Sequence, residues 1–324
     1  MTILITGGAG YIGSHVVKAL AQRGEKMVVL DNLSTGFREA VLAGELVVGD
    51  IGDEALLERL FQTHKFESVL HFAGSIVVPE SVENPLKYYQ NNTINSHKLL
   101  SMCVKHHTKH FIFSSTAAVY GMPANGVCQE DSPLSPINPY GHSKLMTEQM
   151  IWDTCKATKL KAIALRYFNV AGADPDGQLG QSFPKATHLI KVASEAAVGK
   201  REFMEVYGTD YPTADGTCVR DYIHVTDLAE AHACALKTLR EGTFSGPINC
   251  GYGKGFSVKE VIELVKKISG VNFSVKESPR RAGDPASLTA QVDRIQKALG
   301  WEPRFNDLSQ IIEMALGWEK QKKF

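Results

Sequence analysis

Short apolar runs alternate with stretches of helical period through the first half of the chain. Thr2–Thr6, Lys26–Leu30, Leu46–Gly49, Ser68–Phe72, Phe111–Ser115 and Lys161–Tyr167 are dense in aliphatic, aromatic and β-branched residues and read as strands. Between them, Tyr11–Arg23, Asp53–Gln62, Pro85–His107 and Pro139–Thr158 carry apolar residues at helical spacing. Strands that are apolar throughout and separated by helices predict an α/β fold, a doubly wound parallel sheet covered on both faces. Beyond residue 170 the pattern loosens. Asp174–Phe183 reads as loop, Thr187–Val198 as helix, Met204–Tyr207 as strand and Thr209–Thr217 as turns. Alternation resumes with Asp221–His224 (strand), Val225–Arg240 (helix), Pro247–Cys250 (strand) and Ser257–Ser269 (helix). No repeat and no midpoint linker is visible. The expected division is therefore interleaved: residues 1–170 with returns near 217–247 in a larger domain, 171–216 and 248–324 in a smaller α/β substrate-binding domain.

Composition narrows the function. The 35 Lys+Arg against 35 Asp+Glu give zero formal net charge, which argues against a nucleic-acid binder, since phosphate backbones demand a positive surface. No apolar run approaches the ~18 residues that span a bilayer. The opening Met-Thr-Ile-Leu-Ile-Thr has neither a positive segment nor a small-residue cleavage site, so no secretory signal is expected. Six scattered cysteines without a Cys-x-x-Cys suggest reduced thiols and a cytoplasmic protein. His106, His107 and His110 cluster beside Lys105 and Lys109 at a predicted helix end. Cations suit that position, so no metal site is expected.

The chemistry begins at the first turn. Gly7-Gly-Ala-Gly10-Tyr-Ile-Gly13 follows the first strand and opens the first helix. That is the context in which glycines let backbone N–H groups approach a pyrophosphate, as in Rossmann-type sheets. Asp31 ends the second strand, 18 residues after Gly13, where a carboxylate accepts from a ribose 2′-hydroxyl and repels a 2′-phosphate, favouring NAD. The alternative is a structural turn with an incidental aspartate. Asp50, ending the third strand, would face the adenine or be a plain loop acid. Tyr140 and Lys144 stand four apart at a helix start, hence on one face. An ammonium there would favour a phenolate, which needs help because a free tyrosine has a pKa of ~10. A phenolate can take a hydroxyl proton while hydride leaves the same carbon. Thr116 ends the fifth strand and offers a hydroxyl toward the ligand crevice, or else caps the strand end.

The glycine turn, Phe113-Ser-Ser-Thr116 and the Tyr140/Lys144 pair resemble the extended short-chain dehydrogenase/reductases and, within them, the UDP-glucose 4-epimerase group. Further matching segments are Asp31–Leu33, His71–Gly74, Tyr88–Asn92, Arg166–Asn169, Val206–Tyr211, Arg220–Val225 and Pro279–Asp284, in order along nearly the whole chain. The resemblance implies an isomerase of galactose metabolism with tightly bound NAD. Tyr140 would take the proton of the sugar 4-hydroxyl and hydride would pass to NAD. The 4-keto sugar would turn while its uridine diphosphate stayed anchored, and hydride would return to the opposite face. Thr116 would bond the 4-oxygen, and Lys144 would also hold the nicotinamide ribose. The implied NAD contacts are Gly7, Gly10, Tyr11, Ile12, Gly13, Asp31, Asn32, Asp50, Ile51, Phe72, Ala73, Gly74, Asn91, Ser114, Tyr140, Lys144 and Tyr167. The implied UDP-sugar contacts are Thr116, Tyr140, Phe168, Asn169, His188, Leu189, Tyr207, Arg220, Arg281, Asp284 and Ser287. Guanidinium forks at Arg220 and Arg281 suit a pyrophosphate, the plain alternative being surface ion pairs. A homodimer through the helices over Pro85–His107 and Pro139–Thr158 is implied as well.

Three positions depart from that pattern. Thr116 stands where serine is frequent. Ile76 stands where some members carry a lysine for the cofactor phosphates. Ser287 stands where glucose-restricted members carry a bulky residue, which predicts room for a 2-acetamido group. Competing readings are a 4,6-dehydratase, a dedicated N-acetylhexosamine, uronic acid or pentose 4-epimerase, and an NAD-sensing non-enzyme. The dehydratase needs an acid/base pair after the threonine, where Ala117 and Ala118 stand. The non-enzyme reading sits poorly with an intact Tyr140, Lys144 and Thr116.

Overall fold

A computed structural model describes residues 1–324 except positions 124, 185, 186, 282 and 322. The chain runs β1 (Thr2–Thr6), α1 (Tyr11–Ala21), β2 (Lys26–Asp31), β3 (Glu45–Val48), α2 (Glu54–His64), β4 (Phe66–His71), α3 (Val78–Glu83) and α4 (Pro85–Tyr88). A π-helical turn (Tyr89–Ile94) leads into α5 (Asn95–Lys105), then β5 (His110–Thr116), β6 (Val127–Cys128), α6 (Pro139–Ala157), β7 (Lys161–Tyr167) and β8 (Asn169–Ala171). It continues with α7 (Leu189–Ala197), β9 (Phe203–Tyr207), β10 (Val219–His224), α8 (Val225–Glu241), β11 (Gly246–Cys250), β12 (Gly255–Ser257) and α9 (Val258–Ser269). It ends with β13 (Ser274–Ser278), β14 (Ser287–Ala290), α10 (Asp293–Leu299) and α11 (Leu308–Gln321).

The main sheet is seven-stranded, in the order β11-β7-β5-β4-β1-β2-β3, with every pair parallel. Successive side chains of a strand face opposite ways, so each strand feeds two cores. Ile3 and Ile5 pack with Val16, Val17 and Leu20 of α1 and Leu228 and Leu236 of α8. Leu4 packs on the other face with Leu57 and Phe61 of α2, Leu99 of α5 and Ile151 of α6. Each such side chain taken from water contributes about 1.5–3 kcal/mol, which is why uninterrupted apolar strands read correctly as a sheet covered on both faces.

Three expectations need correction. The helix foreseen over Pro85–His107 forms, but a π-helical turn interrupts it and its regular part ends at Lys105. The strand foreseen at Asp221–His224 is not in the main sheet: β10 pairs with β12 and β14, and its last residues pair with β8. The expected boundary at 247/248 falls inside β11, all of which pairs with β7. The region after Ser269 holds β13, β14, α10 and α11, whose weak local patterns gave no expectation. Their partners lie far off in the chain: β13 pairs with β9 and β14 with β10 and β6.

Candidate active site

β1 lies between β2 and β4, so strand order reverses around it, and a crevice opens beyond the carboxyl ends of β1 and β4. The glycine turn lines it. Gly7 adopts φ +74°, and a Cβ there would lie 2.5 Å from the Ala73 nitrogen; a Cβ on Gly13 would lie 2.3 Å from the Gly7 oxygen. Glycine alone lets the turn close at both places. Helix α1 opens at Gly10 with no side-chain cap and no acid in its first turn, leaving its leading amides for an external anion. The Tyr11 hydroxyl donates to the Gly172 carbonyl at 2.7 Å, tying the turn to the segment after β8, and Ile12 is half-buried beside it.

Asp31 is held by two backbone N–H groups, Ala9 at 2.9 Å and Leu33 at 2.8 Å, which fix its carboxylate at the turn. Burial raises its pKa, and those two bonds pull it back. Asp50 accepts from the Asn32 amide at 2.7 Å and from Gly52 N–H at 2.7 Å, so Asn32 and Asp50 form one locked pair beside the buried Ile51. Phe72 and Ala73 follow β4, and Ala73 N–H donates to the Thr6 carbonyl at 3.1 Å. These features suit a dinucleotide: glycine where side chains would collide, uncapped amides at a helix start, and an anchored carboxylate at the end of the neighbouring strand.

The proposed reacting groups meet at the ends of β5 and α6. Asn138 caps α6 by accepting from Gly141 N–H at 2.9 Å, and Pro139 occupies the first turn, where its missing N–H costs nothing. Tyr140 and Lys144 thus share a face of the opening turns. The Tyr140 phenol faces the Thr116 hydroxyl; burial raises the phenol pKa and the Thr116 hydroxyl lowers it. Thr116 accepts from Ala118 N–H at 3.1 Å, so it caps the strand end beside the phenol. Lys144 is buried and donates to the Ser114 carbonyl at 3.0 Å, with its ammonium 4.9 Å from the centre of the Phe113 ring. Burial pulls that ammonium down to about 8, with the Glu148 carboxylate opposing. The Ser114 hydroxyl bonds the Tyr167 hydroxyl, and burial raises the Tyr167 phenol pKa. Gly74 sits close: a Cβ there would lie 3.0 Å from the Asn92 side-chain oxygen and 3.5 Å from the Lys144 nitrogen. Asn91 donates to the Ser75 hydroxyl at 3.0 Å, and Ile76 is exposed.

The expected substrate contacts fall into two groups. Arg281 stacks 3.6 Å over the Tyr207 ring, and Arg220 lies 3.6 Å from Asp284, so these four residues pair up. Arg220 therefore has an acidic neighbour, as the plain reading allowed, whereas the neighbour of Arg281 is an aromatic ring. Asn169 opens β8, and His188 directly precedes α7, its ring bonding Gln181 at 2.8 Å instead of capping the helix; burial lowers the His188 pKa. Leu189 and Phe168 are mainly packing residues: Phe168 is buried with Tyr120 and Leu288, and Leu189 leans on the core beneath α7. Ser287 lies against Gly126, where a Cβ would come within 2.7 Å of the serine. The three histidines separate: His106 faces Glu58 at 3.3 Å, His110 bonds Ser68 at 3.1 Å, and His107 adopts φ +56°.

With this geometry in hand, residues 3–251 match the NAD dependent epimerase/dehydratase family. The chain belongs to that family. The UDP-glucose 4-epimerase of Azospirillum brasilense is 54% identical over 319 residues, 98% of this chain and 92% of that protein. The crystal structure of UDP-glucose 4-epimerase from Brucella ovis in complex with NAD is similar with TM-score 0.94 and 45% identity, covering 98% and 97% of the two chains. The UDP-Glc/GlcNAc 4-epimerase of Campylobacter jejuni is similar with TM-score 0.86 and 50% identity over 99% of each chain.

Membership of the epimerase/dehydratase family does not by itself explain how the site is held. Ser75 and Asn92 escaped the sequence reading: Asn92 accepts from Ser75 N–H at 2.7 Å and donates to the Ser143 hydroxyl at 3.0 Å, bracing the helix that carries Lys144. Asn92 closes the matching segment Tyr88–Asn92, of which the resemblance implies only Asn91 as a contact. Glu148 was also missed, although it continues the four-residue spacing of Tyr140 and Lys144.

Proposed function

We propose that the chain interconverts UDP-glucose and UDP-galactose by epimerisation at C4, using NAD. The Tyr140 phenol facing the Thr116 hydroxyl, with the buried Lys144 one turn on, carries this reading. Bound NAD supplies the hydride acceptor, the donor for the return and a positive charge that favours a phenolate. Tyr140 takes the proton of the sugar 4-hydroxyl and gives it back after the 4-keto sugar has turned. Thr116 bonds the 4-oxygen and orients the phenol. Lys144 keeps positive charge beside them. The methyl groups of Ala117 and Ala118 cannot eliminate water, so the reaction stops at epimerisation.

Loose sugar binding requires a firmly held nucleotide. Arg220 and Arg281 grip the diphosphate, Tyr207 lies against the uracil, and Asp284 stands near the ribose. Their mutual pairs exchange for bonds to the ligand. The small Ser287 leaves room for a 2-acetamido group, so UDP-N-acetylglucosamine is a second substrate. The protein works as a homodimer through α4, α5 and α6, in the cytoplasm. Its six free cysteines suit that compartment, and among the described residues no helix is long and apolar enough to cross a membrane. It has no nucleic-acid partner.

The test is incubation with UDP-glucose, UDP-galactose and UDP-N-acetylglucosamine without added NAD. The C4 epimer of each is expected. Tyr140→Phe should lower turnover at least about a thousandfold and retain NAD. Full activity of that variant defeats the dyad, and retained NAD without turnover of any UDP-sugar restores the sensing reading. An acetylated sugar left untouched defeats the role given to Ser287.

A further inference from the structure

A charged pair lies behind the dyad. The side chains of Arg166, at the end of β7, and Glu148, on α6, are 2% and 0% exposed. Arg166 grips both carboxylate oxygens, with Nε 3.0 and 3.2 Å from them and Nη2 at 2.6 Å. Its Nη1 donates to the Tyr120 hydroxyl at 3.0 Å and the Glu130 carbonyl at 3.2 Å. The Ser115 hydroxyl donates to Glu148 at 2.5 Å.

Such a pair is a poor source of stability, because well-packed apolar residues of equal volume do as well or better. Its position offers a different role. Glu148 stands four residues after Lys144 and eight after Tyr140, on the same face of α6. Ser115, which binds it, immediately precedes Thr116. The groups around Lys144 are Glu148 on α6, Ser114 and Phe113 from β5, His71 from β4 and Asn92 from the π-helical turn. His71 is buried and neutral, hydrogen-bonded to Thr6 and Ser96 at 2.7 Å each, and burial followed by the Lys144 charge lowers its pKa. Among these, Glu148 carries the negative charge that favours the ammonium.

We propose that Glu148, clamped by Arg166 and Ser115, is a positioning residue that keeps Lys144 charged and registers Thr116 against Tyr140. This rests on the dyad assigned above. Removing the carboxylate takes away the charge that opposes the effect of burial on the ammonium, and so pushes it toward neutrality. The Lys144 charge is then lost at lower pH.

The experiment compares kcat–pH profiles of the NAD-loaded wild type, Glu148→Gln, Glu148→Asp and the double variant Glu148→Gln/Arg166→Met on UDP-galactose. For Glu148→Gln, the alkaline limb should move down by about one unit or more and kcat at neutral pH should fall about tenfold, with KM and retained NAD little changed. Glu148→Asp should restore the limb. The double variant leaves no bare charge and so guards against misfolding, and its limb should also move down. A folded single or double variant with the wild-type profile overturns the proposal, whatever its thermal stability. If neither variant folds, the pair is structural and the proposal is likewise overturned. Tyr140→Phe separates the two ideas: activity in it defeats the dyad, whereas an inactive Tyr140→Phe with an unshifted Glu148→Gln defeats only the role of Glu148.

Discussion

Gly7 and Gly13 have the least freedom of any residues in the cofactor crevice. Gly7 combines a left-handed φ of +74° with a Cβ position 2.5 Å from backbone, whereas a Cβ on Gly10 would meet only the Gly7 oxygen at 3.3 Å. Gly7→Ala should therefore cost at least about 2 kcal/mol from backbone strain and overlap, and should empty the protein of NAD. Gly10→Ala should be milder on both counts. Urea unfolding and the NAD released from denatured protein check this, and equal behaviour of the two variants would remove the argument from close approach. At the same scale, the Thr116 hydroxyl accepts from Ala118 N–H, as the strand-cap reading expects, and it faces the Tyr140 phenol, where the proposed reacting-group role would place it.

The helical run from Pro85 to Lys105 shows what an element adds. Its π-helical turn lets the Asn92 carbonyl accept from the hydroxyls of Ser96 at 2.5 Å and Thr147 at 2.9 Å. π-helical turns are rare and gather at functional sites. Here the turn aims Asn91 and Asn92 at Ser75 beside Lys144. The outer face is also unusual: Leu86 is 76% exposed and Ile94 46%, with Met146 of the adjoining α6 at 47%. Exposed apolar residues on two adjoining helices fit a surface covered in a dimer. If the proposed dimer forms through this face, Ile94→Glu should leave a monomer in analytical ultracentrifugation, while a wild type that sediments as a monomer, or a variant with unchanged mass, defeats this interface.

At the scale of the molecule, several histidines are buried neutral. Burial is the leading cause that lowers His15 and His232 to about 4 and His71 and His224 to about 3. Between those values and the ~6.5 of an unfolded histidine, only the unfolded chain binds the proton, so each group removes about 1.4 kcal/mol of stability per pH unit as pH falls. Asp221 acts in the opposite sense: burial raises it to about 6, so its protonation favours the folded chain. His188 and His110 are lowered in the same sense and Asp31 is raised like Asp221, so the histidines outnumber the acids and stability should fall from pH 6.5 to 5. Urea titrations across that range should show a midpoint dropping with pH; a flat midpoint would mean that the histidines stay hydrated or charged in the folded state.

What the sequence determined by itself was local. The glycine turn, the start of α6 at Pro139, the Tyr140/Lys144 spacing and the doubly covered sheet were legible because each is carried by contiguous residues: a φ, a proline, a turn of helix, a strand's apolar run. Tertiary structure decided the rest. β10 left the main sheet because its partners β12, β14 and β8 are distant in the chain. Arg220 and Arg281 acquired Asp284 and Tyr207 as neighbours. Glu148 became a buried partner of Arg166 and Ser115 only when α6, β5 and β7 packed together. Periodicity records which face of an element is apolar, but not which distant charge that face will meet.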